Sequence, residues 1–536
     1  MFFHFCVFCK NKLLLLNLCK GIINRSGVFT DFKPEHEKEG ILMDKNNGAI
    51  YDARKLGKPK MIILGVQHMF AMFGATILVP ILTGLDISTT LLMAGLGTLL
   101  FHCITKFKVP AFLGSSFAFL GGYAAIKAFS PNDPNSMLPY ACLGVACAGL
   151  IYFILAAVIK AVGIEKVMRF FPPVVTGPII IAIGLGLAPS AVSNCTTNWF
   201  LAVVALAVIV VFNIWGKGMA KIIPIILGLL ISYGTGLVLY FISQANPDLI
   251  QNVPWLFSGG ADANGVYQPI FDFTSLNTIC DNISKGHIFG SEGLIGIPIH
   301  WDKTVFGGID YSNGALIASS IIAIVPIAFA TMMEHIGDIC AISSTTGNNY
   351  IKDPGLHRTL VGDGLATTLA SLFGGPANTT YGENTGVLAL TRVYDPRVIR
   401  IAAYFAVAVS FFPIVSVIIG SIPSCIIGGI SFVLYGMISA IGVRNVVENK
   451  VDFTKSRNLI VAAVILVCAL GLSSDTVSFT IGSAAITLSP LAVASIAGIV
   501  LNAVFPGKDY KFDTEDVADA VNFEKEVKPK EKKEKK

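Results

Sequence analysis

The sequence predicts an all-α polytopic membrane protein of about fourteen spans, built as two inverted seven-span repeats whose third and tenth spans are discontinuous. Three observations carry this. The 536 residues are 54% hydrophobic and only 14% charged, with a mean hydropathy of +0.70, whereas soluble domains are nearer a quarter charged. Apolar stretches close to the ~20 residues that cross hydrocarbon recur with short polar breaks. Two of them, opening at Pro110 and Gly374, are interrupted near their starts by glycine, proline and hydroxyl residues.

At the N-terminus, Leu13–Leu16 is too short to span and precedes the polar run Asp31–Gly40. Met43 is the expected natural start, leaving 1–42 outside the natural protein, and 1–60 reads as a cytoplasmic segment. The apolar segments follow at 62–83, 88–105, 110–129, 139–159, 171–189, 199–215 and 222–243. The second set covers 315–336, 357–373, 375–391, 398–419, 423–441, 458–472 and 481–505.

Charge tests this order. With a cytoplasmic N-terminus, Lys55, Lys60, Lys106, Lys108, Lys160, Arg169, Lys217 and Lys221 fall in inner loops. So do Lys352, Arg358, Arg392, Arg397, Arg400, Arg444 and Arg457. The long outer loop 244–314 carries Lys285 and Lys303 against a surplus of aspartates. That is a positive-inside pattern, and it needs an even number of spans, placing the lysine-rich tail 506–536 in the cytoplasm. Lys127 is the exception near an outer end and is expected to snorkel. The 11 cysteines are scattered, and Cys6-Val-Phe-Cys9 lacks a second pair, so neither a metal site nor a disulfide framework is expected.

The two halves echo each other. Pro110-Ala-Phe-Leu-Gly-Ser-Ser opens the third segment and Gly374-Gly-Pro-Ala-Asn-Thr-Thr opens the tenth, while Phe171-Pro-Pro and Ile422-Pro-Ser open the fifth and twelfth. Seven spans per half invert the second half, and matched broken segments in inverted halves point to a transporter site. A half-helix starting near Gly382 would aim free N–H groups and a positive dipole end into a cavity.

Intramembrane acids mark the same place. Glu334 and Asp338, four apart at the end of the eighth segment, share a helix face, and two carboxylates that close cannot both ionise cheaply. Glu383 stands at the mouth of the tenth. No lysine or arginine lies inside these segments to pair with them. His335, His68 and His102 read first as buried structural histidines, with His68 also a candidate for the proton path. Asp363, at the start of the ninth segment, reads as a local cap or a locally paired side chain. Two acceptor carboxylates, half-helix N–H groups near Gly382 and a stacking ring at Phe117 suit a flat heterocycle of alternating N–H and C=O groups, such as uracil.

Glu383-Asn384-Thr-Gly386-Val-Leu-Ala-Leu-Thr391-Arg392 resembles the Gln/Glu-Asn-x-Gly-x-x-x-x-Thr-Arg signature of the nucleobase–ascorbate transporters. Gln67-His68-Met-Phe-Ala-Met-Phe-Gly-Ala-Thr, Gly114-Ser-Ser-Phe-Ala-Phe and Glu334-His-Ile-Gly are similar to the uracil permease branch of that family. The resemblance implies a core domain of spans 1–4 and 8–11 (61–165 and 315–420) moving past a gate domain of spans 5–7 and 12–14 (166–243 and 421–505). It implies proton symport of uracil across the cytoplasmic membrane, with substrate contacts at Phe117, Glu334, Gly382, Glu383 and the backbone at Ala75. Proton coupling would run through Glu334, Asp338 and, as a further candidate, His68. Some relatives carry histidine where this chain has Asp338, so its proton path is wired differently. Xanthine or another nucleobase on the same machine is the alternative substrate, and a membrane-embedded enzyme or channel the remote one; the zincin pattern His-Glu-x-x-His is absent. No cofactor beyond the proton, no metal and no nucleic-acid partner are expected; the partners are uracil, protons and the bilayer, and a homodimer stays open.

Overall fold

The fold follows from where prolines and caps cut the apolar chain into helices. It is a computed structural model that describes residues 49–472, 478–481 and 484–507; the expected start at Met43 and the tail beyond 507 lie outside the described residues. Helix α1 (Lys58–Thr83) starts with proline in its first turn and ends on Gly84, whose left-handed φ of 85° lets its N–H reach Pro80 O. Asp86 caps α2 (Ile87–Ile104), its carboxylate accepting from Thr89 N at 2.7 Å. Strand β1 (Leu113–Ser115) leads into the short α3 (Leu120–Lys127). The first half closes with α4 (Leu138–Val162), α5 (Pro173–Cys195), α6 (Trp199–Trp215, capped by Asn198) and α7 (Pro224–Ala245).

The long connection after α7 holds a small hairpin, β2 (Ser258–Ala261) with β3 (Tyr267–Pro269), and leads to α8 (Gly314–Ile324). A 3₁₀ turn at Pro326 joins α8 to α9 (Ala328–Thr346). Next come α10 (Leu356–Leu372), β4 (Asn378–Thr380), α11 (Gly382–Thr391), α12 (Pro396–Ser410) and α13 (Pro413–Gly420). The chain ends in α14 (Ser424–Glu448), α15 (Ser456–Gly471), the hairpin β5 (Ser478–Ile481)–β6 (Ala484–Thr487), and α16 (Pro490–Val504).

Among the described residues seven helices are long and apolar enough to cross a membrane, or eight if the bent pair α12–α13 is one span. That is fewer than the fourteen segments expected, because α6, α10, α15 and α16 stop at 17, 17, 16 and 15 residues and the third and tenth segments are broken. Three segments differ in detail. The one expected at 398–419 bends by 87° before Pro413, whose missing N–H and ring end a helix there. The one expected at 315–336 runs on to Thr346, so Glu334 and Asp338 sit inside a helix rather than at its end. The one expected at 481–505 begins as the β5–β6 hairpin and turns helical only at Pro490.

The Nζ of Lys127 donates to Thr83 O at 2.9 Å and caps the C-terminus of α1. Packing is closest where glycines remove side chains. A Cβ at Gly184 of α5 would stand 2.2 Å from Tyr435 O of α14, and one at Gly442 of α14 would stand 2.6 Å from Ile181 N of α5. Helices α4 and α10, α2 and α12, and α1 and α12 pack on one another, as do α6 with α7 and α15 with α5 and α16. At one end of these last helices Asn502 Nδ2 bonds Arg169 O at 3.0 Å, while Arg457 bonds Asn502 Oδ1 at 2.6 Å.

Gly184→Val should lower the thermal unfolding midpoint, by the ~1–3 kcal/mol typical of overpacking. Gly436→Ala on α14, where an added Cβ meets nothing within 4 Å, should leave it unchanged or raise it.

Candidate functional site

The site begins with a carbonyl that proline sets free. Pro80 has no N–H for Thr76 O, four residues back in α1; Ser115 Oγ fills the vacancy at 3.0 Å. Ser115 belongs to β1, which pairs antiparallel with β4 in the register Leu113↔Thr380, Gly114↔Thr379, Ser115↔Asn378. The interrupted starts of the third and tenth segments therefore satisfy each other's backbones, and α3 and α11 leave the ladder at opposite ends. Tyr381, between β4 and α11, locks the crossing. Its N–H bonds Phe112 O at 3.1 Å, its hydroxyl donates to Ser115 O at 2.9 Å, and its ring covers Gly114, where a Cβ would stand 2.5 Å away.

No side chain caps the N-terminus of α11, so its first N–H groups and the positive end of its dipole face outward. Glu383 stands in that first turn, half-buried, beside an exposed Gly382. Across from it on α9, Glu334 lies close enough for the two charges to act on each other. Asp338, one turn further along α9, feels both and accepts from Thr380 Oγ1 at 2.8 Å. Space remains between these helices: an added Cβ at Gly337 or Gly386 would meet nothing, and at Gly382 only Asp338 Oδ1 at 4.0 Å.

Behind the acids lies a second layer. His335 Nδ1 is 3.3 Å from Asp363 Oδ2, both side chains fully enclosed, and 3.5 Å from Thr380 Oγ1. Asp363 is thus no end cap; it sits inside α10 and faces His335, which sequence spacing could not reveal. His102 is structural, bonded through Nε2 to Ala111 O at 2.9 Å. Asn384 Nδ2 lies 3.2 Å from His68 Nδ1 and donates to His68 O at 3.1 Å, tying α11 to α1.

Phe117 is nearly enclosed and meets the edge of Tyr435 from α14, ring centroids 6.0 Å apart; Tyr435 gave no sequence signal. Ala75 is fully buried inside α1, so its N–H and its carbonyl, the latter accepting from Val79 N–H four residues on, are both committed to the helix and only its methyl remains. The last signature residues end α11. Thr391 Oγ1 donates to Val387 O at 2.9 Å, and Arg392 takes a left-handed φ of 55°. Arg392 O then receives Ile50 N at 2.8 Å, and Ala53 N donates to Asp395 Oδ2 at 2.7 Å, fastening the segment before α1 to the end of α11. There the Arg54 side chain, hydrogen-bonded to Asp52, holds that carboxyl below its usual range.

Two other features take no part. Among the described residues no three His, Cys, Asp or Glu side chains gather as a metal site. The cavity between α1, α7 and α14, lined by Phe73, Ile77, Ile225, Ile422 and Ile430, is apolar, and none of the acids lines it.

Residues 59–478 match a family model described as a permease family. The chain belongs to that family, the nucleobase–ascorbate transporters. It is a multi-pass membrane transporter rather than an enzyme. It is 38% identical over 458 residues to a uracil permease of Bacillus caldolyticus, covering 83% of this chain and 92% of that protein. It is 37% identical over 467 residues to the uracil permease of Bacillus subtilis (strain 168), covering 84% and 94%. The transmembrane domain of the cyanobacterial bicarbonate transporter BicA superposes with a TM-score of 0.53 at 12% identity, over 84% of this chain and 99% of that one. At that identity the likeness concerns fold alone.

Tyr381→Phe keeps the ring over Gly114 but leaves Ser115 O without its donor. It should cost ~1–3 kcal/mol, read as a lower unfolding midpoint in detergent, with Tyr381→Ala costing more.

Proposed function

We propose that this chain is a proton-coupled symporter that imports uracil across the cytoplasmic membrane by alternating access, with both termini in the cytoplasm. One observation carries the reading: α11 starts without a side-chain cap at Gly382 and Glu383, packed against the stretch of α9 that carries Glu334 and Asp338, and an added Cβ at Gly382, Gly386 or Gly337 meets no close neighbour. The names of the relatives support uracil as the substrate.

Uracil presents two ring N–H donors and two exocyclic oxygens. Glu383 accepts from one N–H and Glu334 from the other, while an oxygen takes the free N–H groups at Gly382 and Glu383. Phe117 supplies a ring to one face once Tyr435 moves aside, and Ala75 closes the other side with its methyl. A glutamate at 383 selects a ring N–H donor there, which uracil offers. The proton neutralises Glu334, removing the repulsion between the two acids so that the loaded site crosses the membrane with less uncompensated charge. Asp338, held by Thr380, is the next stop for that proton, and His68 fixes α11 through Asn384. The core domain, α1–α4 with α8–α13, would carry this cargo past α5–α7 and α14–α16. The apolar cavity where α1 meets α7 and α14 supports that motion, since its lining offers no polar side chain to break.

Uptake of labelled uracil into proteoliposomes, with and without a protonophore, tests the reading; unlabelled uracil, thymine, xanthine and ascorbate are the competitors. Uptake that ignores the proton gradient would sink the coupling, and stronger competition by xanthine would move the substrate to the purines. Glu383→Gln should abolish or redirect uracil binding, measured by equilibrium binding across the same panel. Glu334→Gln should retain exchange of uracil but lose accumulation driven by a pH gradient; full accumulation removes Glu334 from the proton path.

A further inference from the structure

A two-stranded ladder has two outer edges, and inside hydrocarbon neither edge finds water. The cross-strand bonds Tyr381 N to Phe112 O (3.1 Å) and Ser116 N to Ala377 O (2.8 Å) fix which residues pair inward. By the alternation of an antiparallel ladder, Leu113, Ser115, Asn378 and Thr380 turn their N–H and C=O groups outward. Ser115 O is taken by the Tyr381 hydroxyl. The strand starts depend on two other hydroxyls. Leu113 N–H donates to Thr98 Oγ1 at 2.9 Å, and that oxygen lies 3.1 Å from Leu113 O and 2.8 Å from Ala94 O. Thr367 Oγ1 donates to Asn378 O at 2.7 Å.

These threonines occupy matching places. Thr98 is on α2, the helix before β1; Thr367 is on α10, the helix before β4; both are fully buried. The neighbourhood leaves no room for a substitute: a Cβ at Gly97 would stand 2.3 Å from Asn378 Nδ2, which itself bonds Met93 O at 3.1 Å.

We propose that Thr98 and Thr367 are positioning residues of the substrate site, their hydroxyls standing in for the outer strands the ladder lacks. They hold β1 and β4 in register and thereby fix Phe117, which follows β1, against Glu383, which follows β4. The inference rests on the site read above as the uracil site. Valine keeps the shape of threonine and leaves Leu113 N–H or Asn378 C=O unpaired.

The test uses the full-length wild type, Thr98→Val, Thr98→Ser, Thr367→Val and Thr367→Ser, with uracil affinity and hydrogen exchange over 110–116 and 376–380 as readouts. Each valine should weaken uracil affinity about tenfold or more and speed exchange in its own strand; each serine should restore both. Thr105→Val is the control, because that equally buried hydroxyl bonds only its own turn, Phe101 O at 2.8 Å. Wild-type affinity and exchange in the valine variants overturn the proposal, and so does an equal loss at Thr105→Val. Should Thr98→Val not fold, Thr367→Val decides independently. A wild-type chain that binds no uracil defeats the substrate reading, while the exchange data still decide the positioning role.

Discussion

Hydrocarbon offers no partner to a backbone amide, and the two broken spans meet that constraint by pairing with each other. Everything at the site depends on it. A half-helix with a bare N-terminus is tolerated at this depth only because the extended residues before it are hydrogen-bonded along the ladder. The same pairing brings a stretch of the first repeat against its counterpart in the second. Proline takes part: Pro80 removes one amide from α1 and so exposes the carbonyl on which Ser115 docks.

Polarity inside the structure is spent sparingly and in layers. The acids at the start of α11 and along α9 are half-buried; behind them Asp363 and His335 are sealed and face each other. Thr380 joins the layers, touching His335 on one side and Asp338 on the other. A single threonine at the end of β4 therefore connects the region open to a ligand with a closed one.

Much of this was legible in the sequence because membranes make hydropathy decisive. The breaks after Pro110 and Gly374, the acids without cations and the signature run all stood in the chain as written. What was not legible depended on tertiary contact. That Asp363 faces His335, or that Tyr435 edges Phe117, follows from how α10 meets α9 and α14 meets the third span, which no spacing encodes. The bend at Pro413 had a visible cause, but a run of apolar residues on both sides masked it. Short spans misled for a related reason: composition marks a segment as apolar without marking where its helix ends, as the β5–β6 hairpin illustrates.

The locking of β1 by Tyr381 also bears on how the chain is made. Ser115 and Tyr381 lie 266 positions apart, so at ~5–20 residues per second the first strand waits on the order of tens of seconds for its mate. Throughout that interval its amides must be sheltered by the insertion machinery or left in a watery lumen. Biogenesis therefore cannot close this crossing until the tenth segment has been made.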